Sequence, residues 1–107
     1  NTSLKMKTGK IASQTAHTAV SLYLKAKERR NDDIDKWIAR GQAKVVVKGL
    51  NSDHLIGLEA NANLIGLLTQ TIRDAGRTQI PAGSLTCLGL FGPDELVDKI
   101  TGSLTLY

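Results

Sequence analysis

Between residues 74 and 86 the chain reads DAGRTQIPAGSLT, which places an acid, a base, three hydroxyl side chains, two glycines and a proline in thirteen positions. A packed core has no use for that mixture. A second polar set lies near the start of the chain, where Lys10, Gln14 and His17 recur at intervals of four and three. On a helix these three fall within about 60° of one another, and Ser21 continues the stripe. A carboxylate, an amine and several hydroxyls are the groups an ester hydrolysis uses. One takes a proton from water, one stabilises the oxyanion, and the rest hold the water in line. Each residue also has a plain structural reading: Lys10 as solvated surface, His17 as packing, Asp74 as a turn former, Thr78 and Thr86 as caps or cross-strand pairs. Their concentration in one loop and at one helix start is what points to a site.

Other chemistries have less support. Two histidines, at 17 and 54, and a single cysteine, Cys87, offer no metal-ligand spacing. The chain contains no G-x-S-x-G elbow, no phosphate-binding G-x-x-x-x-G-K-[ST] loop and no G-x-G-x-x-G. No metal or cofactor is expected.

The elements that must carry the two halves follow from pattern. Residues 9–30 read as a long helix with Thr8 as its cap, its polar stripe opposed by a packing arc of Ala12, Ala16, Ala19, Val20 and Tyr23. The NDD triplet caps a short helix over IDKWIAR that Gly41 closes. AKVVVKG, 43–49, is a buried strand, and a second long helix runs from Asn51 or Ser52 to Gly66. Strands follow at 67–74 and 84–91, joined by the polar loop. Pro93 opens a helix that Gly102 ends, and SLTLY is a last strand. The order α-α-β-α-β-β-α-β predicts one α/β domain, a mixed sheet flanked by helices in three layers.

With 107 residues there is room for one such core. The net charge of +4 favours a polyanionic partner, with bases grouped at Lys5, Lys7 and Lys10 and again in KAKERR at 25–30. The four aromatics are scattered, which disfavours base stacking and leaves a grip on phosphates. No apolar run reaches the roughly 20 residues of a membrane span, and NTSLKMKTGK lacks the apolar core of a secretion signal.

The blocks LKMKTGKIASQTAHTAV, GQAKVVVKG, IRDAGRTQIPAGSLTCLG and GPDELVDKITGSLTLY resemble, in order and over nearly the whole chain, the class II peptidyl-tRNA hydrolases of archaea and eukaryotes. That resemblance implies cleavage of the ester joining a peptide to the 3′ end of tRNA, a mixed sheet flanked by helices, and commonly a dimer. It implies catalytic roles for Lys10, Asp74, Thr78 and Thr86, with Gln14 and His17 at further characteristic positions. Family members usually open with an apolar strand and an Arg-x-Asp-Leu segment, where this chain has NTSL, and their MGKGK is MKTGK here. The expectation is therefore an N-terminally truncated domain. In the mechanism this supports, Asp74 activates water, Thr78 or Thr86 holds it, and Lys10 stabilises the oxyanion. The reverse, with Lys10 as base, and a threonine nucleophile stay open. Lys5, Lys7, Arg29, Arg30, Lys44, Lys48, Arg73 and Arg77 are the candidate phosphate contacts, Arg77 nearest the terminal nucleotides. Peptidyl-tRNA is the partner, with no membrane contact from this segment. The location is the cytoplasm, or the mitochondrion where an upstream targeting segment exists. The alternative is a non-catalytic tRNA-binding or cell-death interaction module.

Overall fold

The computed structural model describes residues 1–76 and 80–107. A single 3-10 turn, Thr2–Leu4, leads into α1, Thr8–Glu28, followed by α2, Asp33–Ala39. An extended stretch precedes α3, Ser52–Leu64, and the strands β1, Leu68–Arg73, and β2, Leu85–Phe91. Helix α4, Asp94–Thr101, completes the regular elements. α1 and α3 each pack on both strands with little contact to one another, so they cover opposite faces, and α4 packs beside α3. The expected α/β layering is present.

Local chemistry accounts for most boundaries. Helices α1, α2 and α3 all end in the paired-bond motif in which two amides beyond the last turn reach back to its free carbonyls. In α1 these are Arg30 N to Lys27 O at 3.1 Å and Asn31 N to Ala26 O at 2.9 Å. Gly41 and Gly66 take the left-handed position in the other two, as expected, whereas α1 places Arg30 there at φ 51°. Asn51 caps α3 by accepting from His54 N at 2.8 Å. The start of α1 differs from expectation: its cap is Lys7, which makes no side-chain capping bond.

The sheet is narrower than the sequence predicts. β1 and β2 form an antiparallel pair, and 43–49 and 103–107 do not add strands to it. Those two segments pair with each other, through an antiparallel bridge between Val47 and Leu106 with Lys48 N to Thr105 O and Tyr107 N to Val46 O, both 2.9 Å. The valine run has β propensity, but that propensity reflects packing against neighbouring strands, and two bonds do not provide it. Val45 accordingly stays 74% exposed. Among the described residues no sheet is mixed.

The packing face of α1 is also not the one expected. Gln14 and Thr18 are buried, while Ala12, Ala16 and Val20 face outward. A polar face can turn inward because its groups are satisfied there: the Thr18 hydroxyl donates to Gln14 O at 2.7 Å and the Gln14 amide has a buried partner described below. Gly89 in β2 lets the helix settle close. A Cβ at that position would lie 2.4 Å from Thr18 Cγ2 and 2.5 Å from Leu22 Cδ1. Gly89→Ala is therefore expected to destabilise the fold by about 1–3 kcal/mol, read as a lower urea midpoint at unchanged m-value.

Candidate active site

Lys10 lies in the first turn of α1, and Asp74 is the residue immediately after β1. The fold brings them together across 64 residues of sequence, Lys10 Nζ donating to Asp74 Oδ1 in a salt bridge. The two ends of the pair differ in access: the Asp74 side chain is 2% exposed and that of Lys10 13%. The Lys10 side chain thus keeps some access to solvent, while the carboxylate is almost fully covered. Oδ2 of Asp74 accepts from Gly76 N at 2.8 Å, so the two oxygens serve two different donors. The Asp74 backbone is held as well, its N donating to Ser84 O at 2.9 Å and its O accepting from Gly83 N at 2.8 Å. One oxygen of Asp74 serves the turn and the other the ion pair with Lys10. Gly76 N–H is a contributor that side-chain reasoning missed. The D-x-G spacing, which favours an aspartate accepting from the amide two residues on, was its signal.

Thr86 occupies an irregularity. The β1–β2 register runs Ile72 opposite Cys87 and then Arg73 opposite Leu85, which leaves Thr86 as the extra residue of a bulge. Its hydroxyl donates to Ile72 O at 3.0 Å and accepts from Gln14 Nε2 at 2.8 Å. Thr86 is 1% exposed and Gln14 7%. Gln14 therefore directs its amide nitrogen into the interior. Beside them Asn1 N donates to Thr86 O at 3.0 Å.

The remaining predicted positions divide by place. Lys5 and Lys7 are exposed just before α1, and His17 is exposed at its middle. Arg73, next to Asp74, is exposed and donates through Nη1 to Gly83 O at 3.0 Å. Arg29 and Arg30 lie past the other end of α1, about 28 Å from Lys10 at 1.5 Å of rise per residue. Lys44 sits over the Trp37 ring at 5.0 Å and Lys48 over Tyr107 at 5.8 Å. Lys25, from the same basic run as Arg29, donates inward to Thr69 O at 2.6 Å. Arg77 and Thr78 lie outside the described residues.

A groove of about 550 Å³ lies elsewhere, between residues 43–47 and Cys87–Phe91. It is lined mainly by apolar side chains, and none of Lys10, Asp74 or Thr86 borders it.

The model of the family described as peptidyl-tRNA hydrolase PTH2 matches residues 1–107. This chain belongs to that family. Among PTH2 relatives, the chain is 49% identical over 105 residues to human peptidyl-tRNA hydrolase 2, mitochondrial, covering 97% of this chain and 59% of the human one. It is 47% identical over 104 residues to the peptidyl-tRNA hydrolase of Thermococcus onnurineus, covering 96% of this chain and 88% of that one. The enzyme of Metallosphaera sedula is 48% identical over 108 residues, covering 98% and 92%. The chain thus spans about three-fifths of the length of the mammalian PTH2 proteins it matches. Among the described residues no helix is long and apolar enough to cross a membrane.

Proposed function

We propose that this PTH2 chain hydrolyses the ester between a peptide and the 3′ end of tRNA, and that Lys10 and Asp74 perform the chemistry. The observation that carries this reading is the salt bridge between them, formed across 64 residues, in which the Lys10 side chain keeps the greater exposure. The scissile carbonyl approaches Lys10 from solvent. As water adds, negative charge collects on the carbonyl oxygen, and an ammonium already fixed in place stabilises it without first reorganising. The uncapped start of α1 adds the positive pole of the helix on the same side. Asp74 keeps the ammonium in position and accepts the proton of the attacking water, while the Thr78 hydroxyl holds that water in line. No metal or organic cofactor enters this scheme. The test is release of free tRNA from N-blocked aminoacyl-tRNA by the wild-type chain. Failure of a folded chain to release tRNA would overturn the reading.

Binding in this scheme rests on phosphates. Exposed Lys5, Lys7 and Arg73 would take phosphates near the pair, Lys44 and Lys48 would add to the surface charge, and Arg77 belongs to the same set of candidate contacts. Arg29 and Arg30 are so far from Lys10 that only a ligand as long as an arm of tRNA touches both. Affinity should fall steeply with salt and depend little on base sequence. Lys7→Gln and Arg73→Gln are each expected to reduce the slope of log K against log [salt] by about 0.7–0.9. Filter binding of tRNA over a salt series measures this, and an unchanged slope would remove those residues from the interface. The reading includes a homodimer and a cytoplasmic or mitochondrial location, for which sedimentation and fractionation are the checks.

A further inference from the structure

We infer that Gln14 and Thr86 form a positioning clamp that sets the Lys10–Asp74 geometry, and that the Thr86 hydroxyl takes no part in the reaction itself. This rests on the hydrolysis reading above for its kinetic consequence, though its geometric content stands apart from it.

The bulge in β2 is the first part of the clamp. An extra residue in one strand re-aims a side chain and is costly to keep without a use. Here it turns Thr86 towards α1, where the hydroxyl both donates to Ile72 O and accepts from Gln14 Nε2. A threonine hydroxyl has one proton, and that proton is committed to a carbonyl of the neighbouring strand. That carbonyl is no base to activate a nucleophile, and the hydroxyl has no second proton to offer an oxyanion.

What the hydroxyl does reach is informative. Gln14 is four residues after Lys10 on α1, so the two side chains lie one turn apart on the same side of the helix. Ile72 is two residues before Asp74. The chain of bonds Gln14–Thr86–Ile72 therefore ties α1 to the end of β1 one helical turn below the charged pair. It fixes the depth and rotation of the helix against the sheet, and with them the separation of Lys10 Nζ from Asp74. The helix lacks a side-chain cap at this end, so no capping bond supplies the constraint locally.

The experiment compares Thr86→Val, Gln14→Leu, their double substitution and Thr86→Ser. Two quantities are read, at a temperature well below each variant's Tm: kcat and KM on N-blocked aminoacyl-tRNA, and the acylation rate of Lys10 by acetic anhydride, followed by mass spectrometry. Thr86→Val and Gln14→Leu are expected to lower kcat by a similar factor, roughly 10²-fold for a misplacement of about 1 Å, with KM unchanged. The double substitution is expected to be no worse than either single one, because both break the same chain of bonds. Lys10 should acylate faster in all three, and Thr86→Ser should restore both readouts.

Loss of activity by roughly 10⁶-fold in Thr86→Val, with Gln14→Leu unaffected, would overturn the proposal by making Thr86 the reacting group. A lowered Tm with kcat and Lys10 acylation both unchanged would overturn it by reducing the pair to ordinary packing. If the folded wild-type chain releases no tRNA, the hydrolysis reading fails, and Lys10 acylation alone decides the clamp: faster acylation in the variants supports it, and equal acylation overturns it.

Discussion

Lys10→Ala is expected to lower kcat for tRNA release by about 10²–10³-fold, the usual loss when one preorganised oxyanion donor is removed. Lys10 is the more exposed member of the pair, so its ammonium is the group that meets the developing charge. Its interaction with the ground-state carbonyl is weak and strengthens as the oxyanion forms, so kcat should fall more than KM rises. The assay belongs well below the Tm of the variant, because the substitution takes the Lys10 ammonium from a carboxylate that is 2% exposed. Full activity in a folded Lys10→Ala protein would remove Lys10 from the mechanism.

Asp74→Ala is expected to combine loss of activity with loss of stability. Removing one member of a buried ion pair strands the other, typically at a cost of 3–5 kcal/mol. Lys10 retains 13% exposure, so the lower end, about 3 kcal/mol, applies here. For a domain of this size that corresponds to a fall in Tm of roughly 10–20 °C. Asp74→Asn should restore little of either property. One amide oxygen cannot replace two carboxylate oxygens that accept separately from Lys10 and Gly76. Lys10→Met combined with Asp74→Leu separates the two roles. With both charges gone the desolvation problem disappears, so stability should return towards wild type while tRNA release does not. A double variant as unstable as Asp74→Ala would show that the carboxylate's backbone partners, and not the ion pair, carry the stability.

Local signals in the chain were read well. The glycines after α2 and α3 close those helices because the backbone there takes a left-handed turn, and Asn51 caps α3 because its short side chain reaches the amide of His54. The polar loop was legible as a candidate site because its composition is unsuited to a core. The alanines of α1 misled. Ala12, Ala16 and Val20 look like a packing arc when apolar character alone is counted, yet they face solvent. Gln14 and Thr18 were free to turn inward because partners for their polar atoms exist on the sheet and on the helix itself. Nothing local announces such partners. The valines of 43–49 failed as a strand for a related reason, since strand formation depends on a neighbour along the edge.

The sequence by itself determined where α2 and α3 end and where α3 is capped, and that the segment 74–86 is too polar for a core. These depend on interactions within a few residues, which composition and spacing express directly. Only the tertiary structure decided that Lys10 meets Asp74, that Gln14 meets Thr86, and that the second of these pairs is buried while Lys10 in the first keeps some access to water. Each of those facts joins residues more than 60 positions apart. Such contacts are set by how α1 settles on β1 and β2, through the close approach at Gly89 and the bulge at Thr86, and no local pattern encodes that seating.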